Sequence, residues 1–273
     1  MIDWLTRRER TQAFDNALTI FGPDRKVRLP KPTLALTLAK TPNATKTIHS
    51  IAIDHHAPFF HFCLSDFLNC IADKSIRKSK SDVPSTILPF ESLDVWYLAR
   101  MLIDGIADDS LAEKDQIRAS PPSPTDPQSK GRFDTVVVMS GVEAQSTGVA
   151  ATKVARVKVI FKLPRTVLHL GYPVEAPAFW PQEPLAYVEW FGPPKSRNNA
   201  SFFYSVRPEM ESHPRTGRLG GIIPFSRIRQ TCMLVPKWDE ISSVNFSSET
   251  VLDQNIPFII NNVSSSFAFQ LIW

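Results

Sequence analysis

The stretch TKVARVKVIFKLP, residues 152–164, decides the fold prediction for this chain. Its apolar residues recur at every second position, and one set of alternate positions is Ala155, Val157, Val159, Phe161 and Leu163. The other set carries the cations Arg156, Lys158 and Lys162, together with Val154 and Ile160. Since successive side chains of a strand point to opposite faces, the pattern predicts a β-strand with one buried face and one solvated basic face.

Further strand-length apolar segments lie on both sides of this stretch, separated by Pro, Gly, Asn and Ser. They are RFDTVVVM (132–139), PLAYVEWFGPP (184–194), ASFFYSVRP (200–208), GGIIPF (220–225), RQTCMLVPK (229–237) and PFIINN (257–262). Several short strands without helices between them are typical of antiparallel barrels and sandwiches. We therefore predict a β-rich, barrel- or sandwich-like domain over residues 132–273.

The first half has a more mixed pattern. Residues 57–73, APFFHFCLSDFLNCIAD, repeat apolar side chains at spacings of three and four, which predicts one amphipathic helix with Pro58 in its first turn. Residues 6–21 predict another helix, and PFESLDVWYLARMLI (89–103) predicts a strand or a short helix. The expected fold class is α+β, with a mixed N-terminal part over 1–103.

Between these parts lies a stretch that is first acidic and then proline-rich, ending in ASPPSPTDPQSKG (119–131). Four prolines among small polar residues are typical of a solvated linker or loop. We therefore place a linker or long loop at residues 104–131.

Composition limits the classes of protein to consider. The 273 residues carry 31 basic and 27 acidic side chains, a net charge of +4, which permits an anionic partner. The three cysteines form no CxxC pair, as expected in a reducing compartment. The N-terminus is charged and no run of 18 apolar residues occurs, so we expect an intracellular protein that neither enters the secretory route nor spans a membrane.

Motifs for enzyme chemistry are missing from the sequence. No segment matches the GxxxxGK[ST], GxGxxG, GxSxG or HExxH pattern, so we predict no catalysis, no cofactor and no small-molecule substrate. The one alternative enzyme class is a metal hydrolase that uses Asp54, His56 and His61. The favoured interpretation is that His55 and His56 are solvent-facing residues before the helix and that His61 lies on the helix surface or is partly buried. Asp134 and Glu189 lie in apolar strand segments, where a buried carboxylate with a shifted pKa or a salt bridge to arginine is expected.

A basic region is the strongest binding signal. Residues 195–237 hold eight Lys or Arg against two Glu, with Phe and Tyr among them, a combination suited to nucleic-acid phosphates and bases. The candidate nucleic-acid-binding residues are Arg156, Lys158, Lys162, Arg227 and Arg229. The alternative is an ordinary solvated face of an antiparallel sheet.

The order of segments also resembles a known family. RFDTVVV (132–138), VARVKVIFKLP (154–164), AYVEWF (186–191), IIPFSRIRQTCMLVPKW (222–238) and VLDQNIPF (251–258) are the most specific pieces. They resemble the C-terminal region of fungal Plavaka-type transposases, relatives of the KDZ elements, and the likeness extends in order over almost the whole chain. In such transposases an acidic, ribonuclease-H-like core lies upstream, and we expect this chain to lack it.

The resemblance implies a non-catalytic, transposase-derived protein that acts in the nucleus and binds DNA or a protein partner, such as a transposase catalytic core. It supplies no catalytic residue. Two alternatives stay open, namely an interaction module without affinity for nucleic acid and a transposon relic without a selected function.

Overall fold

The computed structural model describes residues 35–72, 77, 88–103, 113–123, 125–126, 128–140, 148–169, 171–196, 203–210, 217–237, 247 and 250–262. Within these ranges the chain has a strand-rich α+β fold with antiparallel sheets and few helices, as the sequence predicts. The helix predicted over residues 6–21 lies outside the described residues.

A seven-stranded sheet forms the centre of the fold. Its main path has the order β14-β11-β8-β3-β2, and β7 joins β8 to β15 beside this path. The strands are β2 (Ala44–Thr47), β3 (Ser92–Trp96), β7 (Thr135–Met139), β8 (Thr152–Lys162), β11 (Leu185–Trp190), β14 (Gly220–Pro224) and β15 (Ile228–Thr231). The long strand β8 pairs with β11 along one edge and with β7 and then β3 along the other, so it is the central strand.

One face of the central sheet packs against a second sheet of four strands, in the order β1-β4-β5-β6. These strands are β1 (Ala35–Leu38), β4 (Leu98–Ile103), β5 (Glu113–Ser120) and β6 (Arg132–Phe133). Between the sheets lies a buried cluster that includes Met101, Ile117, Ala155, Val157 and Val188. We call it the sheet core.

The opposite face of the central sheet is covered in part by two helices, α1 (Ile48–Asp54) and α2 (Phe60–Ile71). The prediction of one helix within 57–73 is confirmed, but the helix begins at Phe60, so Pro58 lies before it and not in its first turn. Helix α1, which Thr47 caps at its N-terminus, was not predicted. Phe60 makes edge-to-face contacts with Phe161 and Tyr187 of the sheet. This buried helix core also contains Leu64.

The remaining part of that face packs against a four-stranded sheet in the order β12-β13-β17-β16. Its strands are β12 (Lys195–Ser196), β13 (Tyr204–Val206), β16 (Met233–Pro236) and β17 (Phe258–Asn261). The buried residues between them, among them Val154, Phe191 and Phe258, form the C-terminal core. A separate two-stranded ribbon consists of β9 (Thr166–His169) and β10 (Tyr172–Glu175).

The linker prediction is wrong for residues 113–120, because these residues form strand β5. Ile117 and Ala119 of this strand are fully buried in the sheet core. Asp115 also points inward, and its carboxylate accepts hydrogen bonds from the backbone N–H and the hydroxyl of Thr231. Because β3 pairs with β8, the two predicted halves on either side of the linker share the central sheet.

Strand β8 contains an irregularity that changes which residues share a face. Val157 lies opposite Val188 and Val159 lies opposite Tyr187, so Lys158 is the extra residue of a β-bulge. The alternation of faces shifts there, and Val157 and Ile160 both enter the sheet core. The Lys158 carbonyl accepts a 2.8 Å hydrogen bond from Nδ1 of the buried His55.

Candidate nucleic-acid interface

The predicted basic face of β8 is not a solvated surface. Arg156 is 6% exposed and Lys158 is 2% exposed. The prediction that they project together into solvent is wrong, because helices and the C-terminal sheet cover the face that was expected to be open. Arg156 and Lys162 also lie on opposite faces of the sheet, because the extra residue of the bulge at Lys158 shifts the alternation of faces between them.

The other three candidates are spread over the molecule. Lys162 is half-buried, and its ammonium lies 5.6 Å from the ring centre of Trp96. Arg229 is buried, donates from Nη1 to the Gly148 carbonyl, and has its pKa lowered to about 10 by burial. Arg227 is exposed. The five candidates therefore do not form one binding surface. Their assignment to nucleic-acid binding stays a prediction, and the burial of Arg156, Lys158 and Arg229 argues against it for these three.

Arg156 and Lys158 belong instead to an interior charge cluster with Glu189, Arg218 and Asp253. The Arg156 guanidinium donates from Nη1 to the Asp253 carboxylate at 2.5 Å. Arg218 donates from Nη2 to two backbone carbonyls at 2.5 and 3.0 Å, those of residues 252 and 254. These contacts hold the segment around Asp253 against the central sheet.

The cluster places charge where water is largely excluded. Arg156 and Glu189 are cross-strand neighbours on the face that carries the helix core at one end and the C-terminal core at the other. Burial lowers the pKa of Lys158 to about 8, against the opposing field of Glu189. A charged lysine is therefore costly at this position.

In the part of the chain that the structure describes, no side chains are grouped into a metal-binding site, and the buried cysteine is not an activated nucleophile. Asp54 forms an ion pair with Lys46, and His56 is exposed, so the residues of the metal-hydrolase alternative are not gathered with His61. No group of three or more His, Cys, Asp or Glu side chains suited to a metal occurs among the described residues. Burial raises the pKa of Cys232 to about 12, so its thiolate does not form near neutral pH.

A solvated cationic surface lies elsewhere, on the outer face of the sheet β1-β4-β5-β6. Alternation along β5 directs Lys114, Gln116 and Arg118 outward, while Ile117 points into the sheet core. Arg100 of β4 lies opposite Gln116 in the register. The outer face therefore combines cations from neighbouring strands.

The row extends onto β6, where Arg132 lies opposite Ser120. We name Arg100, Lys114, Arg118 and Arg132 the outer cation row. Along the described residues of β1, β4, β5 and β6, no side chain on this face is Asp or Glu. Asp134 lies at its end, where its carboxylate pairs with Arg132 at 3.1 Å and accepts the Arg118 backbone N–H at 2.8 Å.

Sequence reasoning missed this row for an identifiable reason. Three of its four members lie inside or next to the stretch interpreted as a linker, although EKDQIRAS (113–120) alternates polar and apolar residues in its second half. That period of two was the signal that could have found the strand. The many charges of the stretch suggested solvation, which is correct only for one face of β5.

Comparison with known proteins gives one family. Residues 13–204, more than half of the chain, match the family described as domain of unknown function DUF6830. The searches of curated proteins and of solved structures returned no match. No helix among the described residues has the length and apolar character needed to cross a membrane. From the extent of the family match, the chain belongs to the DUF6830 family.

Proposed function

We propose that this chain is a non-catalytic, transposase-derived DNA-binding domain of the nucleus, and that the outer cation row contacts the phosphate backbone. The observation that carries the proposal is the placement of four cations on one solvated sheet face, where one carboxylate, that of Asp134, pairs with Arg132 at the end of the row. The descent from a transposase rests on the resemblance of the strand segments. We also retain, as part of this proposal, that the β-rich half over residues 132–273 closes into a barrel-like fold.

The geometry of the row fits one nucleic-acid strand. Lys114 and Arg118 are four residues apart on β5, and the registers place Arg100 beside Gln116 and Arg132 beside Ser120. At a rise of roughly 3.3 Å per residue, successive cations are spaced by roughly 7 Å along the strand axis, over a total of roughly 20 Å. This spacing is close to that of consecutive phosphates along one strand.

The chemistry of the face favours contact with the backbone over contact with bases. The described side chains that point outward beside the row are Thr37, Leu98, Leu102, Gln116 and Ser120, none of which is aromatic. Stacking on aromatic side chains is the usual means by which proteins hold single-stranded bases. We therefore expect binding to duplex DNA that tolerates changes of sequence and weakens steeply with salt.

The test measures fluorescence anisotropy of a labelled random duplex at several salt concentrations. The variant Arg100→Gln, Lys114→Gln, Arg118→Gln removes three cations from the row. Because each neutralised phosphate contributes about 0.9 to the slope of log K against log salt, the slope should fall by roughly two to three.

The matched control is Arg165→Gln, Lys195→Gln, Arg227→Gln, which removes three exposed cations outside the row. It also tests Arg227 as the exposed member of the sequence-based candidates. The proposal is wrong if the parent protein does not bind duplex DNA at low salt, or if both triple variants lower the slope equally.

A second candidate function is binding of a protein partner, the catalytic core of a related transposase. The ribbon β9–β10 favours it, because Leu168 is 62% exposed, Tyr172 is 74% exposed, and Phe179 lies exposed nearby. Pro173 lies in β10 and has no backbone N–H, so the outer edge of the ribbon is poorly suited to strand addition. Contact would therefore use these side chains.

Size-exclusion chromatography of a mixture with such a core tests this second function. The double variant Leu168→Ser, Tyr172→Ser should abolish co-elution, whereas the row variants should leave it intact. Co-elution that survives the ribbon substitutions would contradict the assignment of the ribbon.

A further inference from the structure

The interior charge cluster is unbalanced. Arg156, Lys158 and Arg218 contribute three positive charges, whereas Glu189 and Asp253 contribute two negative ones. Asp253 is also shared with solvent, since its side chain is 54% exposed, and it already accepts from Arg156 Nη1. An excess positive charge therefore remains in the interior of the fold.

One donor of this cluster, Arg156 Nε, is left without a protein acceptor, and a second, Lys158 Nζ, lacks a carboxylate partner. Arg156 Nε is buried and has no hydrogen-bond partner. Lys158 has no carboxylate within 4.0 Å among the residues that the structure describes. Buried donors without acceptors are rare in folded proteins, because the lost hydration is not replaced.

Both donors converge on the ring of Phe133. The Lys158 ammonium lies 4.2 Å from the ring centre, and the Arg156 guanidinium lies 5.5 Å from it. The ring face attracts cations but accepts no full set of hydrogen bonds from them. The two cations therefore share one aromatic ring, and this ring does not supply the hydrogen-bond acceptors that their N–H groups require.

The other charged groups around Lys158 do not supply the missing acceptor. Glu189 and Asp253 attract its charge, and Arg156 and Arg218 repel it. His55 donates from Nδ1 to the Lys158 carbonyl, which fixes the ring beside the bulge.

We propose that Arg156 and Lys158 form an interior binding site for a small tetrahedral oxyanion, of the sulfate or phosphate class. Such an ion accepts several hydrogen bonds at once from guanidinium and ammonium groups. It would accept from Arg156 Nε and Lys158 Nζ and balance the charge of the cluster. This site is separate from the outer cation row and does not depend on DNA binding.

The experiment uses sulfate, whose charge is constant over the pH range of interest, with chloride at equal ionic strength as the reference. Thermal unfolding of the full chain at pH 7 should show a saturable rise of the melting temperature with sulfate. Since Lys158 loses its proton above a pKa of about 8, the sulfate affinity should fall about tenfold per pH unit above that value. This pH arm needs no variant.

The variant Lys158→Met should remove the saturable rise and leave only the gradual stabilisation that sulfate gives through exclusion from protein surfaces. The matched control is Lys162→Met, which removes a lysine over an aromatic ring on the same strand but outside the cluster. Inorganic phosphate at pH 7 should behave as sulfate does, whereas acetate should not, because the site is assigned to a tetrahedral ion.

The proposal is overturned if sulfate and chloride give the same melting curves in the parent protein. It is also overturned if Lys158→Met keeps the saturable response, or if that response persists unchanged at pH 10. Should Lys158→Met fail to fold, the pH arm in the parent protein decides the question alone.

Discussion

The outer cation row and the interior charge cluster are both built from basic residues of β-strands, but their surroundings differ. Arg100 and Lys114 face water on the outer face of the sheet β1-β4-β5-β6. Arg156 and Lys158 lie instead on strand β8, which is covered on both faces. Exposed charges cost little and are screened by salt. Buried charges shift their pKa values and depend on specific partners. The same residue types are therefore solvated in one region, where we propose that they bind DNA, and affect stability in the other.

The largest effect is expected from Glu189→Gln. This change removes the carboxylate whose field most favours charged Lys158 and leaves three cations with only Asp253. The free energy of unfolding should fall by about 3 kcal/mol, because the charges of Arg156, Lys158 and Arg218 are then offset by Asp253 alone. Urea denaturation measures it, with Glu175→Gln on the exposed ribbon as the control. A loss no larger than that of the control would show that the cluster does not need this carboxylate.

The next effect is a loss of the free energy of unfolding in acid, which we expect from protonation of His55 beside the interior charge cluster. Burial lowers its folded-state pKa from 6.5 to about 4, so the unfolded chain takes up the proton first as the pH falls. The stability contributed by neutral His55 is fully present above pH 6.5 and is lost as the pH falls through 4, with a total of about 3 kcal/mol.

Denaturation curves of His55→Gln between pH 7 and 4 check this prediction. The variant should show a shallower loss of stability with acid than the parent protein, whereas the exposed neighbour change His56→Gln should follow the parent. Identical acid profiles for the parent and His55→Gln would contradict it.

A smaller effect of opposite sign is expected from Lys158→Met. Replacing a buried lysine without a direct carboxylate partner by an apolar side chain of similar length should raise the free energy of unfolding at pH 7 by about 1 to 3 kcal/mol. The advantage should shrink between pH 8 and 10.5, because Lys158 in the folded parent loses its proton there before the unfolded chain does. Lys114→Met on the outer row is the control and should show no such dependence on pH.

The smallest effect on stability is expected in the outer row itself. Arg100→Gln should change the free energy of unfolding by less than about 0.5 kcal/mol, because the side chain is solvated. The same substitution should lower the salt slope of duplex binding by about 0.9. A marked loss of stability with an unchanged slope would reverse the distinction between the two regions.

Local patterns predicted the elements well where one face of each was clearly apolar. Strands β8 and β11 and helix α2 lie where the sequence predicts them. Strand β5 was missed because its inward residues include the small Ala119 and the charged Asp115, which make its apolar face inconspicuous. The interior charge cluster could not be found from spacing, since Glu189, Arg218 and Asp253 come from separate parts of the chain.

The sequence by itself determined that this protein is strand-rich, antiparallel and basic, because periodicity and composition are properties of the chain alone. Only the tertiary structure decided which basic residues meet solvent. A period of two identifies the two faces of a strand but does not show whether the second face is covered. In β8, the apolar residues Val154 and Ile160 among the cations indicated that the second face is covered too. Burial depends on what packs against a strand, and the covering segments here come from distant parts of the chain, such as α2 and β17.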